Sequence, residues 1–325
     1  MLIGALEAGG TKMVTALAEV SDEKGFMEKA EKMFMAGSHE YFIGEKSGVR
    51  LIDRAEIPTT DPDETIGRIG DYFEEKGMKD ILAVGIASFG PLELDKESPK
   101  YGYITTTPKP GWGDTDLLGR LKKRFEDNGV HIPFGFDTDV NGSVLGEASF
   151  GCAKGLTDVV YITVGTGIGG GVISGGRLVH GMLHPELGHM RLTKKPEDMY
   201  ECRCPFHKSC LEGLASGPAI EERWGLKAYD LADRAEVWEL EGDYLAQALA
   251  SLILTLSPQK IILGGGVMKQ RQLFPLIRRN VQEELAGYIK TDEIMSGIDD
   301  YIVPESLYGH QGILGCVRLA LDALS

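Results

Sequence analysis

The chain has no apolar run near the roughly 18 residues needed to cross a bilayer. Its opening, LIGALEAGGTK after Met1, has no basic stretch followed by an apolar one, so no signal peptide is expected. It also lacks any long run of Lys or Arg: 34 basic residues face 49 acidic ones, for a net charge of −15. These absences argue against a membrane protein, a secreted one, and a binder of nucleic acid or anionic lipid. Cysteine is scarce, with five in 325 residues. An odd count without a secretory signal speaks against a disulfide framework. No linker or low-complexity stretch interrupts the chain. A balance of 42% hydrophobic and 26% charged residues excludes disorder and a coiled coil. The expectation is a cytoplasmic globular protein of two domains, or one large one.

Glycine is in excess. There are 43, near twice the usual share, and they cluster. Clustered glycines let backbone N–H groups approach an anion closely, which an acidic protein can use where side-chain charge is unfavourable.

The chain reads as two similar halves. LIGALEA (2–8) is a buried strand, GGTK a tight turn and MVTALAEV (13–20) a second strand. VVYITV (159–164), the glycine turn GTGIGGG (165–171) and the strand GVISGG (171–176) repeat that plan about half the chain later. Helices are expected over 62–77, 116–128, from 141 to 151, over 237–256, up to about 287, and over the closing HQGILGCVRLALDAL. Strands are expected at 81–91, 133–139 and in QKIILGGGV. Strands alternating with helices, plus hairpins, make an α/β protein.

Five motifs carry chemistry. EAGGTK (7–12) offers N–H groups, the Thr11 hydroxyl and the Lys12 ammonium to a phosphate, although GxxxxGK[ST] is absent. GTGIGGG and the triplet Gly264, Gly265, Gly266 are two further phosphate-suited turns, together suggesting a nucleotide site. DTDVNG (137–142) sets Asp137 and Asp139 where a strand meets a helix; one suits a helix cap, the other a general base. HPELGH (184–189), with His184, Glu186 and His189, precedes CRCPFHKSC (202–210). Five candidates, His189, Cys202, Cys204, His207 and Cys210, compete for the four positions of a structural zinc.

In combination these motifs resemble the ROK sugar-kinase family, fructokinase branch, over essentially the whole chain. EAGGTK matches the branch's form of the DxGGTK phosphate motif, with Glu7 for Asp. GH (188–189), the cysteine cluster and Glu212 match the family signature, and TTTPKPGW (105–112) resembles the branch's substrate-side loop. The resemblance implies an α/β fold of two RNase H-like lobes, of the actin and hexokinase type, with ATP and sugar meeting in an interlobe cleft. Residues 1–115, completed by the C-terminal helix at about 305–325, would form the N-terminal lobe, and 116–304 the C-terminal lobe with its zinc loop. Gly9, Gly10, Thr11, Lys12, Gly165, Thr166 and Gly167 would hold the phosphates of ATP, which comes with Mg²⁺. Gly264, Gly265, Gly266, Val267 and Met268 would lie by the nucleoside, bordered by Pro218. Asp139 takes the position of the base. Gly90, Pro91, Thr138, Glu186, His189 and Glu212 take positions on the sugar side.

The branch's zinc form selects His189, Cys204, His207 and Cys210; the family's common form would take Cys202 in place of His207. Many glucose-specific relatives have Asn where this chain has Thr138, which favours another hexose. The implied reaction converts fructose to fructose 6-phosphate, with mannose, glucose or N-acetylmannosamine as alternative substrates. The implied assembly is a homodimer. A sugar-responsive repressor, which carries a helix-turn-helix ahead of this body, is not expected, because the first phosphate strand begins at residue 2. A non-catalytic zinc scaffold is disfavoured by the intact Asp139, Glu186 and phosphate turns.

Overall fold

The computed structural model describes residues 1–21 and 48–325 and divides into two compact units. The first comprises Met1–Gly155, His180–His184 and Ser306–Ser325. Its sheet is built from β1 (Leu2–Ala8), β2 (Lys12–Val20), β3 (Val49–Pro58), β4 (Ile81–Ser88) and β7 (Phe134–Thr138), in the order β3-β2-β1-β4-β7. The first three strands are antiparallel; β4 and β7 run parallel to β1. A small pair, β5 (Tyr103–Ile104) with β6 (Thr115–Asp116), stands apart. Both faces of the sheet are covered, which is why β1 and β4 are nearly all apolar. Leu6 and Ala8 point into a layer containing Phe73 of α1 (Pro62–Glu75) and Phe125 of α2 (Leu117–Asp127). Ile3 and Ala5, offset by one, pack instead with Leu314 and Val317 of the C-terminal helix, Gln311–Ala323.

The second unit comprises Leu156–Val179 and Pro185–Glu305. Its strands are β8 (Val159–Val164), β9 (Ile168–Ser174), β10 (Arg177–Leu178), β11 (Lys260–Gly264) and β12 (Ile302–Pro304). They lie in the order β10-β9-β8-β11-β12, with the same pattern of two antiparallel and two parallel pairings. Strand for strand this is the first sheet again, so the internal repeat read from the sequence is real and each unit is RNase H-like. One core joins this sheet to α6 (Ala235–Leu256) and α7 (Leu273–Leu285), with Leu245, Leu249, Ile261, Leu263 and Ile277 fully buried or nearly so. Two shorter helices, α4 (Leu211–Ala215) and α5 (Gly217–Trp224), follow the cysteine cluster.

Three expectations change. The division falls after Gly155 rather than near 115, because β7 pairs with β4 and so joins the first sheet together with the helix that follows it, α3 (Asp139–Phe150). GTGIGGG is a turn only as far as Gly167: Gly169, Gly170 and Gly171 lie within β9. A side chain on Gly170 would run into Leu187, so the glycines here admit a close neighbour rather than bend the chain. The edge strand β3 was unexpected, its Arg50, Asp53, Arg54 and Glu56 hiding a strand that buries only one face.

The C-terminal helix crosses α3 with almost no gap. A Cβ on Gly315 would collide with the carbonyl oxygen of Gly142, and one on Gly146 with that of Gln311. Gly315→Ala is therefore expected to lower stability by about 1–3 kcal/mol, the usual cost of overpacking, because the obstacle is backbone and cannot rotate away. A denaturant titration that left the midpoint unmoved would contradict this packing.

Candidate active site

In the first unit, the Gly9–Lys12 turn joins β1 to β2. Gly9 N–H donates to the Lys12 carbonyl at 3.1 Å, and a Cβ on Gly9 would lie 2.6 Å from that oxygen, so the tight turn requires glycine. Lys12 Nζ pairs with Glu56 at 2.6 Å, and Arg54 shares the same carboxylate; these cations hold the Glu56 carboxyl below its usual range. Thr59 fastens the turn from outside: its hydroxyl donates to Gly9 O at 2.7 Å and its N–H to Thr11 O at 3.0 Å. The adjacent carbonyls receive the TTTPKPGW loop, Lys109 Nζ on Thr59 O at 3.0 Å and the buried Trp112 Nε1 on Thr60 O at 2.7 Å. Thr59 and Thr60 thus link two motifs whose contact nothing in the sequence signalled.

The β7–α3 junction separates the roles of the two aspartates. Neither caps the helix. Thr138 does, its hydroxyl accepting from Asn141 N–H at 3.1 Å. Thr138 is 3% exposed, so the residue expected at the sugar is buried and engaged in the cap. Asp137, 4% exposed, is committed on both oxygens: Oδ1 accepts from Thr138 N–H at 2.8 Å and Asn141 Nδ2 at 2.7 Å, and Oδ2 bonds His180 Nε2 at 2.9 Å. The bond to Asp137 holds the His180 ring above its ordinary pKa, against the opposing effect of burial. Nearby, burial first and the Asp137 charge second push the Tyr101 hydroxyl up. Asp139 opens α3, half-buried, with Oδ1 accepting from Val140 N–H at 2.9 Å. Close by in the fold, His184 Nε2 accepts from Leu92 N–H at 3.2 Å, and a Cβ on Gly90 would lie 3.5 Å from the same nitrogen. Pro91 O accepts from both Thr105 N–H and its hydroxyl. His180 and Asn141 were not legible as site residues, since their partnership is tertiary.

In the second unit, Gly165 N–H donates to Gly167 O at 2.9 Å, closing the second glycine turn. Gly217 N–H donates to Gly165 O at 2.8 Å, which sets Pro218, in the first turn of α5, beside that turn. A Cβ on Gly165 would lie 4.0 Å from Gly266 N, so the 165–167 turn, the start of α5 and the 264–266 bend lie side by side within this unit. Gly265 has φ of 93° and a Cβ there would lie 2.7 Å from Val164 N, so the Gly264–Gly266 bend turns against the end of β8. Val267 and Met268 are buried in the core of this unit. Glu212 Oε2 accepts from Ile168 N–H at 2.9 Å and occupies the space a Cβ on Gly167 would need. Glu186 is exposed and begins the 3₁₀ turn Leu187–His189, whose Gly188 packs on the Ile168 carbonyl.

The ligand atoms of His189, Cys204, His207 and Cys210 all lie within 4.8 Å of one another. Cys204 Sγ is 3.4 Å from His207 Nδ1 and 3.9 Å from His189 Nδ1. Two sulfurs and two imidazoles at such separations fit the donor set of a tetrahedral zinc site. Burial, ahead of neighbouring thiols, pushes the Cys210 thiol up to about 12, so a thiolate there calls for a cation. Cys202 lies outside the group, with its sulfur against Gly213.

The ROK family model matches residues 3–323. The chain is 45% identical over 324 residues to a fructokinase of Pediococcus pentosaceus, covering 100% of this chain and 99% of that one. It is 37% identical over 323 residues to a fructokinase of Streptococcus mutans, covering 98% and 97%. Among solved structures, a ROK hexokinase from Thermus thermophilus superposes with a TM-score of 0.74 at 22% identity, covering 100% of this chain and 99% of that one, a likeness of fold.

Proposed function

We infer that this chain, which belongs to the ROK family, is an ATP-dependent fructokinase that makes fructose 6-phosphate. The observation that carries this reading is full-length likeness to several fructokinases at 37–45% identity, whereas two glucokinases match at 28–29%.

A sugar hydroxyl is a weak nucleophile at neutral pH, and a carboxylate that accepts its proton as it attacks the γ-phosphorus lowers the barrier. Asp139 is our candidate for that base. Asp137 is bonded on both oxygens, by Thr138 N–H, Asn141 Nδ2 and His180 Nε2, and is the less available of the two. Glu186, His189 and Glu212 are assigned to sugar hydroxyls. The Gly9–Lys12 and Gly165–Gly167 turns are assigned to phosphates, where fixed backbone N–H groups offset developing charge without reorganising. Bound Mg²⁺ supplies the rest of that neutralisation. Zinc, held by His189, Cys204, His207 and Cys210, would supply a rigid tie between the 202–210 loop and the turn carrying His189, fixing that ring's orientation.

No helix among the described residues is long and apolar enough to cross a membrane, and we place the enzyme in the cytoplasm, as a homodimer. A hexose panel with ATP tests the substrate: kcat/KM for fructose should exceed that for mannose, glucose and N-acetylmannosamine. A larger value for glucose or mannose would overturn the choice of sugar, and no turnover of any hexose would overturn the kinase.

A further inference from the structure

Asp137 and Asp139 stand two residues apart at one strand–helix junction. A bare carboxylate beside a general base makes the base harder to ionise, because like charges raise each other's pKa. Asp137 is almost wholly buried, where an uncompensated charge is costly. Its bonds from Thr138 and Asn141 are neutral, and among the described residues His180 is the group bonded to it that can carry positive charge. Tyr101, whose hydroxyl is pushed up by burial and by the Asp137 charge, brings no cation to the pair. On the elements packed around the junction, Glu147 of α3 is spent on Cys152 and Ser306, His184 on Leu92, and Arg318 on Asp322. Glu7 of β1 lies against Gly312 and adds no cation.

We propose that His180 is a positioning residue that holds Asp137 in a charge-neutral pair and thereby keeps Asp139 ionised as the base. This rests on the kinase reading above. His180 reaches the junction because His180–His184 belongs to the first unit although second-unit residues flank it in sequence. Both ends of that segment are fastened by imidazole, His180 on Asp137 and His184 on Leu92 N–H. The two rings have opposite requirements. His180 donates from Nε2 and is strengthened by a proton; His184 accepts at Nε2 and must stay neutral there.

His180→Gln separates charge from contact, since a Gln amide N–H can still donate to Asp137. The acid limb of kcat/KM against pH reports the free enzyme's base. In His180→Gln it should move up by about half to one pH unit, the scale of one unscreened neighbouring charge near a protein surface. Asp137→Asn combined with His180→Gln removes the bare charge, and the limb should return toward wild type. Activity lost without movement of the limb, or a limb that the second substitution does not restore, would make His180 a structural contact and nothing more. NMR titration of the His180 ring provides a readout independent of turnover: its pKa should lie above the usual 6.5 in wild type and fall in Asp137→Asn. An unshifted ring in wild type would also overturn the proposal, even if every hexose failed as substrate. The sign for stability follows: the pair's contribution is complete below about 6.5 and fades as pH rises through the folded value.

Discussion

Asp139→Asn is expected to lower kcat by about 10²- to 10⁴-fold while the protein still folds and binds ATP, the range over which a positioned general base acts. Folding should survive because Asn keeps the shape of the side chain and the cap of the helix lies on another residue. Thr138, not Asp139, caps α3. Asp139 Oδ1 accepts from Val140 N–H, a bond that an amide oxygen accepts equally. What is lost is a negative charge in the first turn of a helix, about 0.3–1 kcal/mol. Asp137→Asn should behave in the opposite way, with a smaller fall in kcat and a larger fall in stability, because it disturbs a buried network with three partners. Steady-state kinetics and thermal melts on both variants decide the matter. A near-wild-type Asp139→Asn beside a crippled Asp137→Asn would reverse the assignment.

His207→Ala should lose bound zinc and at least about tenfold in activity, whereas Cys202→Ser should retain about one zinc per chain and most of its activity. His207 Nδ1 lies 3.4 Å from Cys204 Sγ, within the four-residue group, and Cys202 is outside it. The donor set also balances charge, since two thiolates neutralise Zn²⁺ while three would leave a negative site near an anionic phosphate donor. Elemental analysis of the purified variants gives the metal count directly. Zinc kept by His207→Ala and lost by Cys202→Ser would restore the common form of the site, and a wild-type protein without zinc would remove it.

Much of this arrangement was legible because its signals are local. The hairpin β1–β2 announces itself through an apolar run followed by GGTK, and α1 through a periodic apolar face over 62–77; its Asp61 cap, which accepts from Glu64 N–H, is a finding of the structure. Three of the four residues expected to hold zinc, Cys204, His207 and Cys210, sit within one short stretch, with His189 ahead of it. What stayed hidden depends on distance along the chain. His180 is a lone histidine until the fold sets it 2.9 Å from Asp137, 43 positions earlier. Thr59 looks like any residue after a strand until its hydroxyl meets Gly9. The glycines of β9 were misread because a glycine run looks the same whether it bends the chain or clears space for Leu187. Thr138 proves also to be the cap of α3, accepting from Asn141 N–H, a role that its place just before the helix could have suggested.

The C-terminal helix has a consequence for the order of synthesis. Ile313, Leu314 and Val317 form one wall of the core against which Ile3, Ala5, Val14 and Ala16 pack. As the ribosome works from residue 1, those apolar strand positions wait while the entire second unit, through Glu305, is made. The second unit, by contrast, has all its residues between 156 and 305, apart from a five-residue excursion. Domains fold as units while they emerge, so the later-encoded unit can finish first and the earlier one last. Until then the face of the first sheet that the helix covers is exposed apolar surface, and this is where a nascent or truncated chain would engage chaperones or aggregate.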